Sequence, residues 1–260
     1  MNGKTFVPES LVKFFGDHPR IALAFSGGCD SAYLLYAARA CGAQVCAYYV
    51  HSCFQPRFEL EDARRLADEL NAEMRVLEAD VLSDAQVRRN PPERCYHCKR
   101  RIFDAIAQAA QADGFEYIMD GTNASDDASD RPGMRALRER GVLSPLRMCA
   151  ITKAQVRSLS QQAGLFTWNK SAYACLATRI PTGMEIDVSM LGRVERAEER
   201  LALMGFEDFR VRITPGGARL ELREGQMALL MEKRRDILAA LEADFGEITL
   251  DLRPRREVEA

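Results

Sequence analysis

No apolar run in this chain reaches the ~18 residues that a membrane-spanning helix requires. The N-terminus, MNGKTFVPES, lacks the basic-then-apolar pattern of a secretory leader, so the expected compartment is the cytoplasm. Net charge is scarce too. Thirty-six Lys and Arg against 38 Asp and Glu leave −2, so no global basic field draws the protein to nucleic acid or to an anionic membrane. A local basic patch stays open. There is no internal repeat and no low-complexity tract. In a reducing compartment the eight cysteines read as free thiols, each to be explained as core, ligand or catalyst. Histidines number three, His18, His51 and His97. Cys95 and Cys98 form a single Cys-x-x-Cys, half of a metal site by spacing. Zinc would need His51, Cys53 or Cys149 to converge on it. A redox or persulfide role is the other use of such a pair, and a plain helix start with Arg94 and Lys99 near a phosphate is the simplest.

What is present is an ordinary globular composition, 47% apolar and 28% charged over 260 residues. That length builds one large α/β domain or two modest ones. Arg20 to Phe25 is a short apolar run ending in a glycine pair and followed by a helical stretch, which predicts a strand buried on both faces. Gln44 to Val50 predicts a second strand, 58–70 a helix, 74–81 a third strand and 98–112 a helix stopped by Gly114. Phe115 to Met119 predicts a strand, 124–133 a polar loop, 142–146 a brief strand, and Thr152 to Gly164 a helix with a Thr cap. Strand and helix alternate at the spacing of βαβ units, so the first part is a parallel, doubly wound sheet. After Pro181-Thr182-Gly183 the pattern becomes a helix (187–204), two strands (208–213, 218–223), a helix (225–243) and a strand (247–252). This is a small α+β unit. The expected domains are 1–175 and 176–260.

Ser26-Gly27-Gly28-Cys29-Asp30-Ser31 follows the first strand directly. A Gly-Gly turn lets backbone N–H groups point inward, and the helix after it adds its positive end, so the pattern predicts an anion site. Ser26 and Ser31 add hydroxyl donors. Asp30 beside an anion predicts a cation, Mg²⁺. A Walker A loop fails for want of the lysine, and a dinucleotide fingerprint for want of the later glycines. The bland alternative is a tight turn between strand and helix. Cys29 reads as a variable loop position, and Cys41 and Cys46 as core.

The loop SGGCDS resembles the pyrophosphate loop (PP-loop) of the N-type ATP pyrophosphatases. That resemblance implies a Rossmann-like adenine nucleotide alpha hydrolase fold, adenylylation of a substrate oxygen, and ATP and Mg²⁺ as cofactors. Asp120-Gly121-Thr122-Asn123 resembles the family's later nucleotide-facing segment, which adds Gly121 and Thr122 to the ATP contacts.

Cys175 lies in WNKSAYACLATRIPTG, a stretch expected to form a loop at the domain junction. Lys170 and Arg179 flank it, and nearby cations favour the thiolate a nucleophile needs. The alternative is a buried small side chain. This run, with RCYHCKR, DGTNASD and LSPLRMCAITKAQVRSLSQQAGL, is similar to the LarE family of sulfur transferases from about residue 10 to about 255. Ser171 and the Thr214-Pro215-Gly216-Gly217 turn depart from the family's usual residues. The resemblance implies a pyridinium dicarboxylate mononucleotide as substrate, Cys175 as nucleophile and sulfur donor, and a homo-oligomer. A single cysteine in the signature implies that Cys175 is sacrificed rather than served by an iron–sulfur cluster. Arg210 and Arg212 alternate on one strand and share a face. The resemblance implies that they and Arg179 bind substrate phosphate, and that Glu198 faces the site. A wet surface is the plain reading of the Arg pair and of Glu198. Three other functions stay in view: a tRNA thiolase, which needs a basic surface and the Cys95/Cys98 pair; an ATP-dependent amidating or adenylylating enzyme without a sacrificial cysteine; and a non-catalytic nucleotide-binding or sulfur-carrier module, which would bind ATP without releasing pyrophosphate.

Overall fold

A computed structural model describes residues 5–126, 132–171 and 173–255. In chain order, α1 spans Glu9–Asp17, β1 Arg20–Ala24, α2 Cys29–Ala40, β2 Gln44–His51, α3 Arg57–Glu69 and β3 Glu73–Glu78. Then come α4 (Ala85–Arg88), α5 (Arg94–Ala112), β4 (Ile118–Met119), α6 (Pro132–Arg138), α7 (Pro145–Met148) and α8 (Lys153–Gln162). The rest is α9 (Val188–Leu203), β5 (Arg210–Thr214), β6 (Gly217–Glu221), α10 (Met227–Glu232), α11 (Arg234–Leu241) and β7 (Glu247–Leu250). None of the described helices is long and apolar enough to cross a membrane.

The chain divides into two compact units. One is Met1–Val81 with Glu93–Ala172, the other Leu82–Pro92 with Tyr173–Ala260. This differs in two respects from the domains read from sequence. Cys175 falls in the second unit, and so does the segment 82–92. That segment is held there by its backbone and by Asn90, whose amide donates to Pro181 O at 2.8 Å while its carbonyl accepts from Gly183 N at 2.8 Å. Ile186 N donates to Arg88 O at 2.8 Å.

The first unit is a parallel sheet in the order β3-β2-β1-β4. Alternate residues serve two cores. Ile21, Leu23, Val45, Ala47 and Tyr49 pack with residues of α1, α2, α3 and α8. Ala22, Cys46, Tyr48 and Val50 pack against Ile106 and Ala110 of α5. Helices on both faces explain why β1 and β2 are apolar throughout. The strand order reverses between β1 and β4, and such a switch point opens a crevice at the carboxyl ends of the strands.

Several boundaries move for physical reasons. Pro145 has no N–H to continue a ladder and suits a first helical turn. The expected strand 142–146 is therefore one bridge, Leu143 to Met119, followed by α7. The expected strand 115–119 shrinks to β4. α5 begins at Arg94, after Pro91-Pro92, and not at residue 98. Of the expected loop 124–133, residues 127–131 lie outside the described residues, and Pro132 already starts α6. α1 was not anticipated; Leu11, Phe14 and Phe15 give it one buried face.

In the second unit β5 and β6 form an antiparallel hairpin, and β7 adds in parallel to β6. The single helix expected over 225–243 is two, broken at Lys233.

Candidate active site

β1 delivers the chain into the loop of residues 26–31 at the switch point. Gly27 adopts φ +70°, where a side chain is strained, and a Cβ there would stand 3.1 Å from that of Ala63. Gly28 caps α2 without a side-chain hydrogen bond. The helix's first N–H groups therefore have no side-chain cap from Gly28, and the positive end of the helix lies behind them. Ser26 Oγ lies 3.0 Å from Ser31 Oγ, and Ser31 Oγ donates to Gly28 O at 3.2 Å, so the two hydroxyls brace the loop.

The end of β4 presses against the start of α2. A Cβ on Gly121 would lie 3.0 Å from Ser31 N and 3.2 Å from Asp30 Cβ. The neighbouring Asp120 is buried and accepts from Ser144 Oγ at 2.7 Å and from the hydroxyl of Thr122. Thr122, expected to meet the nucleotide, spends its hydroxyl on Asp120, whereas Gly121 brings its backbone to the loop itself.

Asp30 is not alone. Lys153 Nζ donates to its Oδ2 at 2.6 Å, and Asn123 Nδ2 reaches its Oδ1 at 3.3 Å. Lys153 is the first residue of α8. It is fixed there by a capping box between Thr152 and Gln155, and its own N–H donates to Ser125 Oγ at 3.0 Å. Lys153 was missed in the sequence. The Thr152 cap placed it at a helix start, but no local signal brings that start back to α2. A Mg²⁺ ion held chiefly by nucleotide phosphates would find one carboxylate here, Asp30, whose oxygens meet Lys153 Nζ and Asn123 Nδ2. Among the described residues, no group of three or more His, Cys, Asp or Glu could hold a metal by itself.

Cys29 is packed rather than open. Its Sγ lies 3.8 Å from Ser160 Oγ and donates to Trp168 O at 3.8 Å, and burial raises the thiol's pKa. Cys95 is exposed near the start of α5, with Arg94 Nη2 3.8 Å from its sulfur. Lys170, read as a cation beside Cys175, bonds Asp62 at 2.7 Å.

In the second unit Cys175, half-buried and in no disulfide, heads a 3₁₀ turn, Leu176–Arg179. Arg179 is fully buried and does not present a free guanidinium to a phosphate. Its Nε and Nη2 bond the two Glu198 oxygens at 2.9 Å each, and Nη1 donates to Ala174 O at 2.6 Å and Thr178 Oγ1 at 2.9 Å. Burial alone would lower its pKa, but the Glu198 hydrogen bonds and charge raise it. Glu198 likewise faces inward. It accepts from the Tyr173 hydroxyl and from Val211 N at 2.9 Å. The Tyr173 ring carries Arg179 at 4.5 Å and Arg210 at 5.2 Å from its centroid.

Arg210 is buried as well and donates to Phe209 O at 2.6 Å. Desolvation, with the charges of Arg179 and Arg255, pushes its pKa down to about 10. Arg212 is the more open of the pair, its side chain 34% exposed. It bonds Glu221 and donates to Thr178 O at 2.6 Å. The alternation of the two arginines therefore yields one interior and one accessible guanidinium. Tyr173 and Thr178 lie inside the signature stretch, yet nothing in their spacing announced these contacts.

No family model matches the chain. It is 38% identical over 84% of its length to an uncharacterised protein of Synechocystis, covering 82% of that protein. It is 32% identical over 94% of its length to the pyridinium-3,5-bisthiocarboxylic acid mononucleotide synthase of Lactiplantibacillus plantarum, covering 89% of it. A tRNA-specific 2-thiouridylase of Clostridium botulinum is 26% identical over 58% of the chain and 52% of that enzyme.

Proposed function

The chain belongs to the LarE family of ATP-dependent sulfur transferases, and on that premise we propose that it converts a carboxylate of a pyridinium dicarboxylate mononucleotide into a thiocarboxylate with sulfur from Cys175. The carboxylate oxygen attacks the α-phosphorus of ATP and pyrophosphate leaves. The Cys175 thiolate attacks the acyl carbon of the adenylate and AMP leaves, giving a thioester. Cleavage of the Cys175 Cβ–S bond, with loss of the Cα proton, frees the thiocarboxylate and leaves dehydroalanine.

The observation that carries this reading is the placement of Cys175, which heads a turn whose backbone is clamped by a buried, charge-paired arginine. A nucleophile gains from such pre-organisation. In the first unit the uncapped start of α2 suits the leaving pyrophosphate, and Lys153 and Asp30 stand beside it. Mg²⁺, when bound, would neutralise phosphate charge, with Asp30 as one oxygen ligand.

Intact mass after incubation with ATP, Mg²⁺ and the pyridinium dicarboxylate mononucleotide tests the proposal. Loss of one sulfur and two hydrogens at position 175 is expected. Pyrophosphate release with unchanged mass would mean that the sulfur comes from elsewhere. Neither change would make the substrate wrong and tRNA the next acceptor to try.

A further inference from the structure

The carbonyl of Cys175 carries two donors from Thr178 and a weaker, shared one from Arg179 Nη1, whose two hydrogens also serve Ala174 O at 2.6 Å and Thr178 Oγ1 at 2.9 Å. Thr178 N–H reaches it at 2.9 Å, Thr178 Oγ1 at 2.8 Å and Arg179 Nη1 at 3.4 Å. The first contact is what any 3₁₀ turn makes. The other two are not required by the turn. Arg179 Nη1 also donates to Thr178 Oγ1 at 2.9 Å, so a guanidinium polarises the hydroxyl that in turn donates to the carbonyl. Glu198 holds that guanidinium in place, and Arg212 Nη1 fixes the Thr178 carbonyl at 2.6 Å.

This matters for the last step of the proposed reaction, on which the inference rests. The Cα proton of a peptide residue is a very weak acid, and its removal places negative charge on that residue's own carbonyl oxygen. Preorganised donors at an oxygen where charge develops lower the barrier. From this geometry we infer that Thr178 and Arg179 form an oxyanion hole for the enolate of Cys175, and that Thr178 is a catalytic residue of the elimination. The Cα proton passes to water. The electron pair forms the Cα=Cβ bond, the Cβ–S bond breaks, and the sulfur leaves with its electrons as the thiocarboxylate. No oxidant or reductant is consumed.

The experiment is a single turnover with ATP, Mg²⁺ and the pyridinium dicarboxylate mononucleotide, followed by intact mass and pyrophosphate release. Wild type, Thr178→Val and Thr178→Ser are compared. Loss of one such donor costs roughly 10²-fold or more in rate. Thr178→Val is therefore expected to accumulate the thioester adduct, with elimination slowed out of proportion to pyrophosphate release. Thr178→Ser, which restores the hydroxyl, is expected to eliminate close to the wild-type rate. Cysteine deuterated at Cα, built into the protein, is expected to show a larger isotope effect in Thr178→Val than in wild type. Elimination at the wild-type rate in Thr178→Val overturns the inference. So does a variant in which both steps slow equally, for then Thr178 only holds the fold. If wild type itself releases pyrophosphate and never forms dehydroalanine, the sacrificial reading fails first and takes this inference with it.

Discussion

Lys153 and Glu198 are the two residues whose partners define what they do. Lys153 places its ammonium 2.6 Å from Asp30, beside the start of α2. A charged contact to phosphate contributes about 1.5–3 kcal/mol, so Lys153→Met is expected to raise the KM for ATP roughly tenfold or more. The check is pyrophosphate release against ATP concentration. An unchanged KM would leave Lys153 as a structural partner of Asp30 only. Glu198 compensates a guanidinium with no solvent exposure. Breaking a buried pair by removing one partner costs about 3–5 kcal/mol, because the other charge stays buried. Glu198→Gln is expected to lower the unfolding free energy by that order, read as a fall in the urea midpoint, and to loosen the Cys175 turn. A midpoint within error of wild type would mean that Arg179 finds another anion.

The elements around the loop of residues 26–31 depend on two local devices. One is the absence of a side chain at Gly121, where β4 meets α2. The atoms a Cβ would strike are backbone or close to it and have little room to give. Gly121→Ala is expected to abolish pyrophosphate formation while the far-ultraviolet circular dichroism stays native. Retained turnover would show that the two elements can part without loss. The other is the capping box of α8, in which Thr152 accepts from Gln155 N and the Gln155 side chain accepts from Thr152 N. Thr152→Ala is expected to cost about 1 kcal/mol by denaturant titration, with a further loss of ATP affinity because Lys153 heads that helix. A stability loss alone would separate the cap from the site.

Across the molecule, desolvated thiols contribute to how stability responds to alkali, Cys46 buried and Cys53 half-buried. Burial pushes Cys46 and Cys53 up to about 11 from the ordinary 9.0. The folded chain keeps protons that the unfolded chain releases, so this contribution is fully present below pH 9 and is lost as pH rises to about 11. Melting temperature is expected to fall through that window, and the fall to lessen in Cys46→Ala; a flat profile would place these thiols in contact with water. The residues by themselves determined a good deal of this protein. Continuous apolar strands ahead of Gly-Gly and before amphipathic helices specify a parallel doubly wound sheet, because only strands covered on both faces read that way. The turn at Ser26 to Ser31 is legible because it is local, a Gly-Gly turn that opens a helix. The tertiary structure decided the rest. It turned Arg179, Glu198 and Arg210 inward, where Glu198 of α9 joins the 3₁₀ turn to β5 through contacts with Arg179 and Val211, residues distant in the chain. It brought Lys153 to Asp30 and drew residues 82–92 into the second unit. A charge pattern read along the chain shows which side chains are ionic, but which of them meets water, which meets a ligand and which meets another buried charge is set by packing at long range.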